Sequence, residues 1–353
     1  MSPRFSPARF PPGACAGVLL ALLALLCAGG PARAATLYLA PTGSDAAPGT
    51  SPGTALATLG AALARAQMAA PGEETRVLIL PGVYRGQTIA IDGRRLHGPL
   101  TLLGQQAAPA APPTFVGTGR ETWLRLRAAE GQDSGLTVKG LRIVHYATAI
   151  TLNGNREDPA AFNRGTVLAD LVLEQIGSDD RSGGGGNGAD GPSRPSTAAI
   201  RLVNARDTTI RGVTFRAIRN NPPQTCPGLH AIYLASHATG ARIEGNTFTD
   251  FCGSAIKLRD DSGGAMITGN RFSGVDGAPA IEEWFCDMDR TDECTKAAGE
   301  CPSTGIVIGP NDFGAMPASL RIRVQGSRAQ RPWCPPGSAR APRFILPGGK
   351  TLP

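Results

Sequence analysis

A short phrase, Ala-Ile-x-Leu, recurs in the middle of the chain and carries chemically different side chains at its third position. In the copy at 255–258 the apolar residues Ile256 and Leu258 flank a lysine. If the apolar pair of each copy faces a core, the residue between them faces outward from the same strand. The third residues of five successive copies, the last of them shortened, are Thr151, Arg201, Tyr233, Lys257 and Glu282. Stacking of the copies would place these side chains in one outward column.

Further groups with acid–base or binding chemistry lie within a few residues of these positions. They are an imidazole, a guanidinium, a carboxylate pair and an indole: His230, Arg259, Asp260 with Asp261, and Trp284. We predict that one patch contains Arg201, His230, Tyr233, Lys257, Arg259, Asp260 and Glu282, and that Trp284 lies directly beside it. The predicted catalytic residues are Lys257, Tyr233, His230 and Arg259. The predicted substrate-binding residues are Arg201, Trp284, Asp260 and Glu282.

These side chains are the ingredients of eliminative cleavage of an acidic, uronic-acid-containing polysaccharide. A cation must neutralise the uronate carboxylate so that the C5 proton becomes more acidic, and Arg201, Arg259 or a bound calcium ion could do this. A base must remove that proton, for which Lys257 with a lowered pKa, Tyr233 or His230 are candidates. Tyr233 could also protonate the leaving oxygen. A C5-epimerase would need nearly the same groups.

The elements that must position this patch form a repeat. A second phrase, Gly-Asn-x-Phe or a close variant, alternates with the first, and its clearest copies place Phe248 and Phe272 24 residues apart. Each phrase is short and alternating, as in a strand with one buried face. Stacked coils that share a continuous core account for such a repeat. We therefore predict an all-β, right-handed parallel β-helix over 35–315, in which Asn246, Asn270 and Asn311 form a hydrogen-bonded ladder.

The N-terminal segment supports the same architecture. Its motifs are Tyr38-x-x-Pro41-x-Gly43-x-Asp45, the amphipathic stretch 55–68 and Leu80-Pro81-Gly82-x-Tyr84. They resemble the opening of secreted proteins of the pectate lyase-like, right-handed β-helix superfamily, and with the repeats the resemblance covers roughly residues 36–315. The resemblance implies a fold but no single reaction. The stretch 55–68 should be a short helix that covers the open end of the first coil, where strands expose unpaired backbone groups.

Several other interpretations of the patch stay open. Lys257 and Glu282 could be only a cross-strand ion pair, worth about 0.2–1 kcal/mol. Asp260-Asp261 is similar to the aspartate pair of β-helix polygalacturonases, which would mean hydrolysis, but the Asn-Thr-Asp, Gly-His-Gly and Arg-Ile-Lys phrases of that family are absent. A non-catalytic glycan-binding or scaffold protein is a third possibility, in which Trp284 stacks on a sugar or only plugs the last coil.

A calcium site is possible next to the patch. Five acidic residues crowd a short region, and hard oxygen ligands suit this ion. They are Glu282, Glu283, Asp287, Asp289 and Asp292. Their spacing departs from the EF-hand loop, so a solvated acidic loop is the favoured interpretation and no metal ligand is assigned.

The first 34 residues have the pattern of a secretory signal peptide. Arg4 and Arg9 precede an apolar run, and Ala32-Arg33-Ala34 fits a signal peptidase site. Removal of three arginines, with no acid in the segment, lowers the formal charge from +7 to +4. This mild excess suits a polyanionic substrate, but without a dense basic stripe it does not indicate nucleic acid. We expect a secreted monomer with no membrane attachment after cleavage.

The remaining cysteines indicate an oxidising compartment. Six of them follow the signal, which in an exported chain predicts up to three disulfides. Cys226 and Cys252 occupy the same turn in neighbouring coils and should be bridged. Cys286, Cys294 and Cys301 lie in one loop, and one of them should reach Cys334. Residues 316–353 are predicted to be a C-terminal cap or tail.

Overall fold

Parallel strands stacked on one another are the main regular structure of the described chain. The computed structural model describes residues 34–106, 111–127, 131, 133–179, 195–275, 277–287, 299–324, 332–338 and 340–353. Residues 34–353 belong to one compact unit. The predicted signal peptide lies outside the described residues except for Ala34, as do Asp289, Asp292 and Cys294. Among the described residues no helix has the length and hydropathy needed to cross a membrane.

Three long sheets carry the strands, which are numbered here in chain order. Sheet I contains β1 (Ala35–Leu39), β2 (Thr75–Ile79), β5 (Leu100–Gly104), β8 (Leu136–Lys139), β12 (Val167–Ala169), β16 (Thr209–Arg211), β19 (Arg242–Glu244), β22 (Met266–Thr268), β25 (Ile306–Ile308), β27 (Phe344–Ile345) and β28 (Thr351–Leu352). Sheet II contains β3 (Val83–Arg85), β6 (Thr114–Val116), β9 (Arg142–Val144), β13 (Val172–Ile176), β17 (Thr214–Ile218), β20 (Thr247–Phe251) and β23 (Arg271–Val275). Sheet III contains β4 (Ile89–Asp92), β7 (Thr122–Arg127), β10 (Thr148–Asn153), β14 (Ala198–Val203), β18 (His230–Ala235), β21 (Ile256–Arg259), β24 (Ile281–Glu283) and β26 (Ile322–Val324).

The chain enters sheets I, II and III in turn, so that β16, β17 and β18 make one coil and β19, β20 and β21 make the next. Equivalent strands of these neighbouring coils pair in parallel. The fold is therefore a parallel β-helix, as the repeats predict. Smaller elements complete it: the strand pair β11 (Asn163–Arg164) and β15 (Ala205–Arg206), the helix α1 (Leu59–Ala66), and 3-10 turns at Pro52–Thr54, Gly93–Arg95, Pro223–Gly228, Ala318–Leu320 and Pro347–Gly349.

The core is built from side chains repeated at the same place in successive coils. In sheet III the inward isoleucines of β14, β18, β21 and β24 are aligned and fully buried: Ile200, Ile232, Ile256 and Ile281. In sheet II Phe215, Phe248 and Phe272 stack with ring centroids 4.7 and 4.9 Å apart. Each buried side chain of this size contributes about 1.5–3 kcal/mol. Because no coil can bury these residues alone, stacking creates the core.

The predicted asparagine ladder is confirmed at the turn between sheets I and II. The Nδ2 group of Asn246 donates to Oδ1 of Asn270 at 3.0 Å, and Asn270 donates in the same way to Asn311 at 3.0 Å. Each Oδ1 also accepts the backbone N–H of the preceding coil's asparagine. All of these amides satisfy buried backbone groups, so their role is structural.

The N-terminal motifs build the cap of the helix. Oδ1 of Asp45 accepts the backbone N–H groups of Ala57 and Thr58 at 2.9 Å, and Thr58 is the N-cap of α1. The buried face of α1 packs against β1 and β4, the first strands of sheets I and III. Gly43 is required because a Cβ there would lie 2.3 Å from the carbonyl oxygen of Leu56. The predicted capping helix is thus confirmed, although it is shorter than 55–68.

The chain after residue 315 continues the stack. Strand β26 pairs with β24, β27 pairs with β25, and β28 folds back antiparallel on β27. Disulfides join Cys226 to Cys252, as predicted, and Cys301 to Cys334. Cys286 is also disulfide-bonded. The C-terminal segment is therefore tied covalently to the region that follows β24.

Candidate functional site

Sheet III presents the predicted outward column in register. Arg201 of β14 is opposite Tyr233 of β18, Tyr233 is opposite Lys257 of β21, and Lys257 is opposite Glu282 of β24. Thr151 precedes them on β10, and Arg323 of β26, which the sequence analysis did not include, extends the column by one coil. Neighbouring strands lie about 4.8 Å apart. Residues up to 172 positions apart in the sequence thus share one strip, which we call the sheet III column.

Lys257 and Glu282 form a nearly buried ion pair within this column. Lys257 Nζ is 3.5 Å from Glu282 Oε2, and the side chains are 15% and 3% exposed. Glu282 also accepts hydrogen bonds from the Ser254 hydroxyl and the Arg323 guanidinium. Burial by itself would raise the pKa of Glu282, but Lys257, Ser254 and Arg323 together bring the pKa below its ordinary value. Glu282 is therefore an ionised carboxylate at neutral pH and a poor proton donor.

Lys257 is the group of the column whose environment best suits a base. Burial lowers the pKa of Lys257, Glu282 opposes this shift, and the positive charges of Arg259 and Arg323 add to it. The net pKa lies below that of an exposed lysine, so more of the amine is neutral at a given pH. Desolvation next to other cations is how proteins prepare a lysine for acid–base chemistry.

Tyr233 and His230 stack on each other at the start of β18. Their ring centroids are 5.6 Å apart with 20° between the planes, and the residues are 8% and 4% exposed. Burial, with the nearby charge of Lys257, lowers the pKa of His230 to about 3. The imidazole is thus neutral at ordinary pH, and its Nδ1 has no hydrogen-bond partner in the described part of the chain. The stacking of His230 on Tyr233 restricts the orientation of the Tyr233 phenol ring.

Arg201 supplies positive charge that no described carboxylate neutralises. Its Nε is buried without a hydrogen-bond partner, and among the described residues it takes part in no ion pair. Burial and the neighbouring Arg156 lower the pKa of Arg201, and Tyr233 opposes the shift. A guanidinium nevertheless stays protonated. This end of the sheet III column is therefore cationic and suited to a carboxylate from outside.

Arg259 is held by a residue that the sequence analysis missed. Its Nε donates to Oε2 of the buried Glu300 at 2.5 Å. Burial alone would lower the pKa of Arg259, but Glu300 and Tyr233 more than offset it and raise the pKa. No local signal pointed to Glu300, because it lies 41 positions away at the end of a cysteine-rich loop. The sequence places this residue nowhere near sheet III.

Trp284 lies against both cations of β21. The Lys257 ammonium and the Arg259 guanidinium are 5.0 and 4.4 Å from its ring centroid. Such contacts are worth about 0.5–2 kcal/mol each, more when desolvated. Since Trp284 is half-buried, its observed role is to cover and orient the cations. Stacking on a sugar stays a prediction.

The two aspartates occupy the turn after β21. Asp260 and Asp261 have φ angles of 55° and 56°, the left-handed region that aspartate tolerates. Asp260 accepts a hydrogen bond from Ser236 at 3.1 Å, and Asp261 lies 3.0 Å from His237 Nδ1. Both carboxylates thus bind the equivalent turn of the preceding coil. Asp260 directly follows the last residue of β21, three residues after Lys257.

The described residues offer no calcium site. No group of three or more His, Cys, Asp or Glu side chains among them has a geometry that could hold a metal ion. Glu282 contacts Lys257 and Arg323, and Glu283 contacts Arg343 and the backbone of Ser303. Two of the predicted ligands, Asp289 and Asp292, lie outside the described ranges.

The fold and the site together define a parallel β-helix protein with a partly buried, mainly cationic column on one sheet. No protein-family model and no curated protein sequence matches the chain. A rhamnogalacturonan lyase structure is similar at 14% identity and a TM-score of 0.45, over 82% of this chain and 66% of that one. The catalytic domain of a GH87 alpha-1,3-glucanase is similar at 11% identity and a TM-score of 0.48, over 80% of this chain and 45% of that one. The GH136 lacto-N-biosidase from Eubacterium ramulus is similar at 13% identity and a TM-score of 0.37, over 88% of this chain and 67% of that one. Values this low say nothing about the activity of this chain.

Proposed function

We propose that this is a secreted enzyme that cleaves an acidic, uronic-acid-containing polysaccharide by elimination at the sheet III column. The observation that carries the proposal is the register of Arg201, Tyr233 and Lys257 on three adjacent strands. It brings a cation with no carboxylate partner among the described residues, a phenol and a lysine of lowered pKa into one strip. The two described disulfides fit the oxidising environment of an exported protein.

The reaction balances with these groups alone. Arg201 and Arg259 bind the uronate carboxylate and withdraw charge from C5. The neutral amine of Lys257 takes the C5 proton, the C4–O bond breaks, and the electron pair of the C5–H bond becomes the C4–C5 double bond. Tyr233 gives its proton to the departing oxygen. General acid and base catalysis of this kind contributes about 10²–10⁴ each to the rate.

The carboxylates of the site favour elimination over hydrolysis. An inverting hydrolase needs one protonated and one ionised carboxyl group across the scissile bond. Glu282 is ionised and paired, Glu300 is held by Arg259, and Asp260 and Asp261 bind the neighbouring turn. Each of these carboxylates is already engaged with other groups of the protein, and the neighbouring Glu283, whose pKa burial raises to about 7, is fully buried. A C5-epimerase on the same groups would return a proton to C5 without breaking the chain.

The direct test is incubation of the purified protein with a panel of uronic-acid polymers. We expect a rise in ultraviolet absorbance from the new double bond conjugated with the carboxylate. Reducing ends without this absorbance would mean hydrolysis, and exchange of the C5 proton without cleavage would mean epimerisation. Binding without any of these changes would identify a glycan-binding protein.

Two substitutions assign the chemistry to the column. Lys257→Ala and Tyr233→Phe should each lower kcat by about 10²–10⁴, because each removes a proton-transfer group. Lys139→Ala is a matched control, since Lys139 lies on sheet I in an exposed pair with Asp170. Tyr38→Phe on β1 is the second control. Unchanged turnover in both column variants would refute the site.

A further inference from the structure

A groove of about 460 Å³ lies beside the turns that follow β18 and β21 of sheet III. The proposed reaction does not use it. Trp333, which is 53% exposed, is part of its wall. Three prolines add apolar surface, and four polar side chains face the same space. The apolar lining residues are Pro159, Trp333, Pro335 and Pro336, and the polar ones are Arg206, His237, Thr239 and Asp261. A concave, largely apolar surface with a few convergent polar groups is typical of a small-molecule site.

The polar groups of this groove are held in place by their own contacts. Asp261 Oδ2 is 3.0 Å from His237 Nδ1. The Arg206 guanidinium lies 4.0 Å from the ring centroid of Phe162 and donates to the carbonyl of Pro159. Groups fixed in this way lose little freedom when a ligand binds, which favours affinity.

The groove lies a short distance along the chain from the sheet III column. Asp261 lies four residues after Lys257, and at about 3.3 Å per residue the two Cα atoms are no more than roughly 13 Å apart. The backbone N–H of Asp261 donates to the carbonyl of Cys301 at 3.0 Å. The disulfide from Cys301 to Cys334 then holds the adjacent Trp333 at this turn. An extended ligand that crosses the end of β21 would therefore meet the indole.

We propose that this groove binds a further sugar ring of the same glycan, with its apolar face on Trp333. Arg206 and Asp261 are placed to bind hydroxyl or carboxylate groups at the ring edge. An indole combines a large apolar face with an N–H donor, which suits a ring with one apolar face and a polar rim. The inference rests on the proposed function in that the ring belongs to a polymer whose other units occupy the column. It makes the site selective for longer chains.

The experiment compares Trp333→Ala with wild-type protein on short and long oligogalacturonates and oligomannuronates. Binding is measured by calorimetry in a Lys257→Ala background, so that turnover is not needed. The Kd of long oligosaccharides should rise about tenfold, because an aromatic contact of this kind is worth up to about 1.5 kcal/mol. The Kd of short ones should stay the same, and Trp333→Phe should restore most of the loss.

Met68→Ala is the matched control, because Met68 is the most exposed large apolar side chain in the described ranges and lies far along the chain. An equal effect on short and long chains, or none on either, overturns the groove. Length-dependent binding through Trp333 without turnover in wild-type protein would keep the groove and refute the lyase. If the wild-type protein cleaves the polymer but Trp333→Ala does not change how affinity depends on chain length, the lyase stands and the groove is refuted. Binding of a proline-rich peptide but of no oligosaccharide would also overturn the inference.

Discussion

Sheets II and III carry similar charged residues on their outer faces but treat them differently. On sheet II Glu174 bonds to Arg216 opposite it at 2.6 Å and to Arg142 at 2.5 Å, and the arginines are 55% and 34% exposed. On sheet III the Lys257–Glu282 pair is almost fully covered. A pair whose arginine is solvated is worth about 0–1 kcal/mol. Covering the pair changes which protonation states are stable, and changes of this kind are common at functional sites.

The cover over sheet III comes from segments outside the repeat. Trp284 after β24 lies against Lys257 and Arg259, and Glu300 is buried beneath Arg259. The described outer face of sheet II has no equivalent aromatic contact. The difference shows that the stacked strands only align the side chains. Neighbouring loops decide whether an aligned pair stays solvated or is covered.

The sharpest test of this contrast replaces one arginine on each sheet. Arg201→Ala should lower kcat/KM by about 10–100-fold, because a hydrogen bond to a charged group is worth about 1.5–3 kcal/mol. Arg216→Ala on sheet II should change it less than about twofold. Steady-state kinetics on the polymer identified in the panel measure both. Equal losses in the two variants would mean that the sheets do not differ in function.

Acid should also separate the two sheets through His230. Its folded pKa of about 3 lies below the unfolded value of 6.5, so the unfolded state binds more protons between these values and stability falls as pH falls through this window. The slope should approach about 1.4 kcal/mol per pH unit. His230→Gln should remove it in denaturant unfolding followed from pH 7 to 4.

The sheet II comparison variant for this effect is Glu174→Gln. Burial alone would raise the pKa of Glu174, but Arg142 and Arg216 lower it, so its contribution is present above 4.5 and lost only below that value. Between pH 6.5 and 5 only the His230 variant should show a smaller change of unfolding free energy with pH than the wild type. A wild-type slope in His230→Gln would contradict the burial of a neutral imidazole.

The smallest expected effect concerns Glu300, which positions Arg259. Glu300→Gln should lower kcat/KM about threefold to fivefold, because a contact of about 0.5–1 kcal/mol between the guanidinium and Trp284 is loosened. The loss should appear mainly in KM, and Trp fluorescence should change as Arg259 moves. Glu244→Gln, which removes an exposed partner of Arg242 on sheet I, is the control. A fluorescence spectrum identical to the wild type would argue against the positioning role.

Much of the frame could be predicted because it depends on repetition. The alternation in Ala-Ile-x-Leu set which side chains point inward, and Ile232 and Ile256 are fully buried as expected. The recurring phrase set the register, so Arg201, Tyr233 and Lys257 align although the steps between them are 32 and 24 residues. The Cys226–Cys252 bridge followed from the same reasoning, since equivalent turns of adjacent coils are close.

The environment of the site could not be predicted in this way. Glu300 reaches Arg259 through a loop whose path no repeat constrains, and the stacking of His230 on Tyr233 depends on burial at a corner. The sequence did not decide whether the carboxylates act in hydrolysis, bind calcium or only form ion pairs. The ion pairs of Glu282 illustrate the reason, because they depend on its burial and neighbours. The same residue type, Asp or Glu, can lie in a solvated turn or in a buried network, and its pKa differs between the two environments.

The amino-acid sequence alone determined the parallel coils, the inward and outward faces and every member of the column except Arg323, because strand alternation and coil stacking are local rules that apply at every step. The tertiary structure alone decided which charges are covered, which are paired and which stay available. These properties come from loops that pack across the coils, and burial and charge neighbours act through space rather than along the chain.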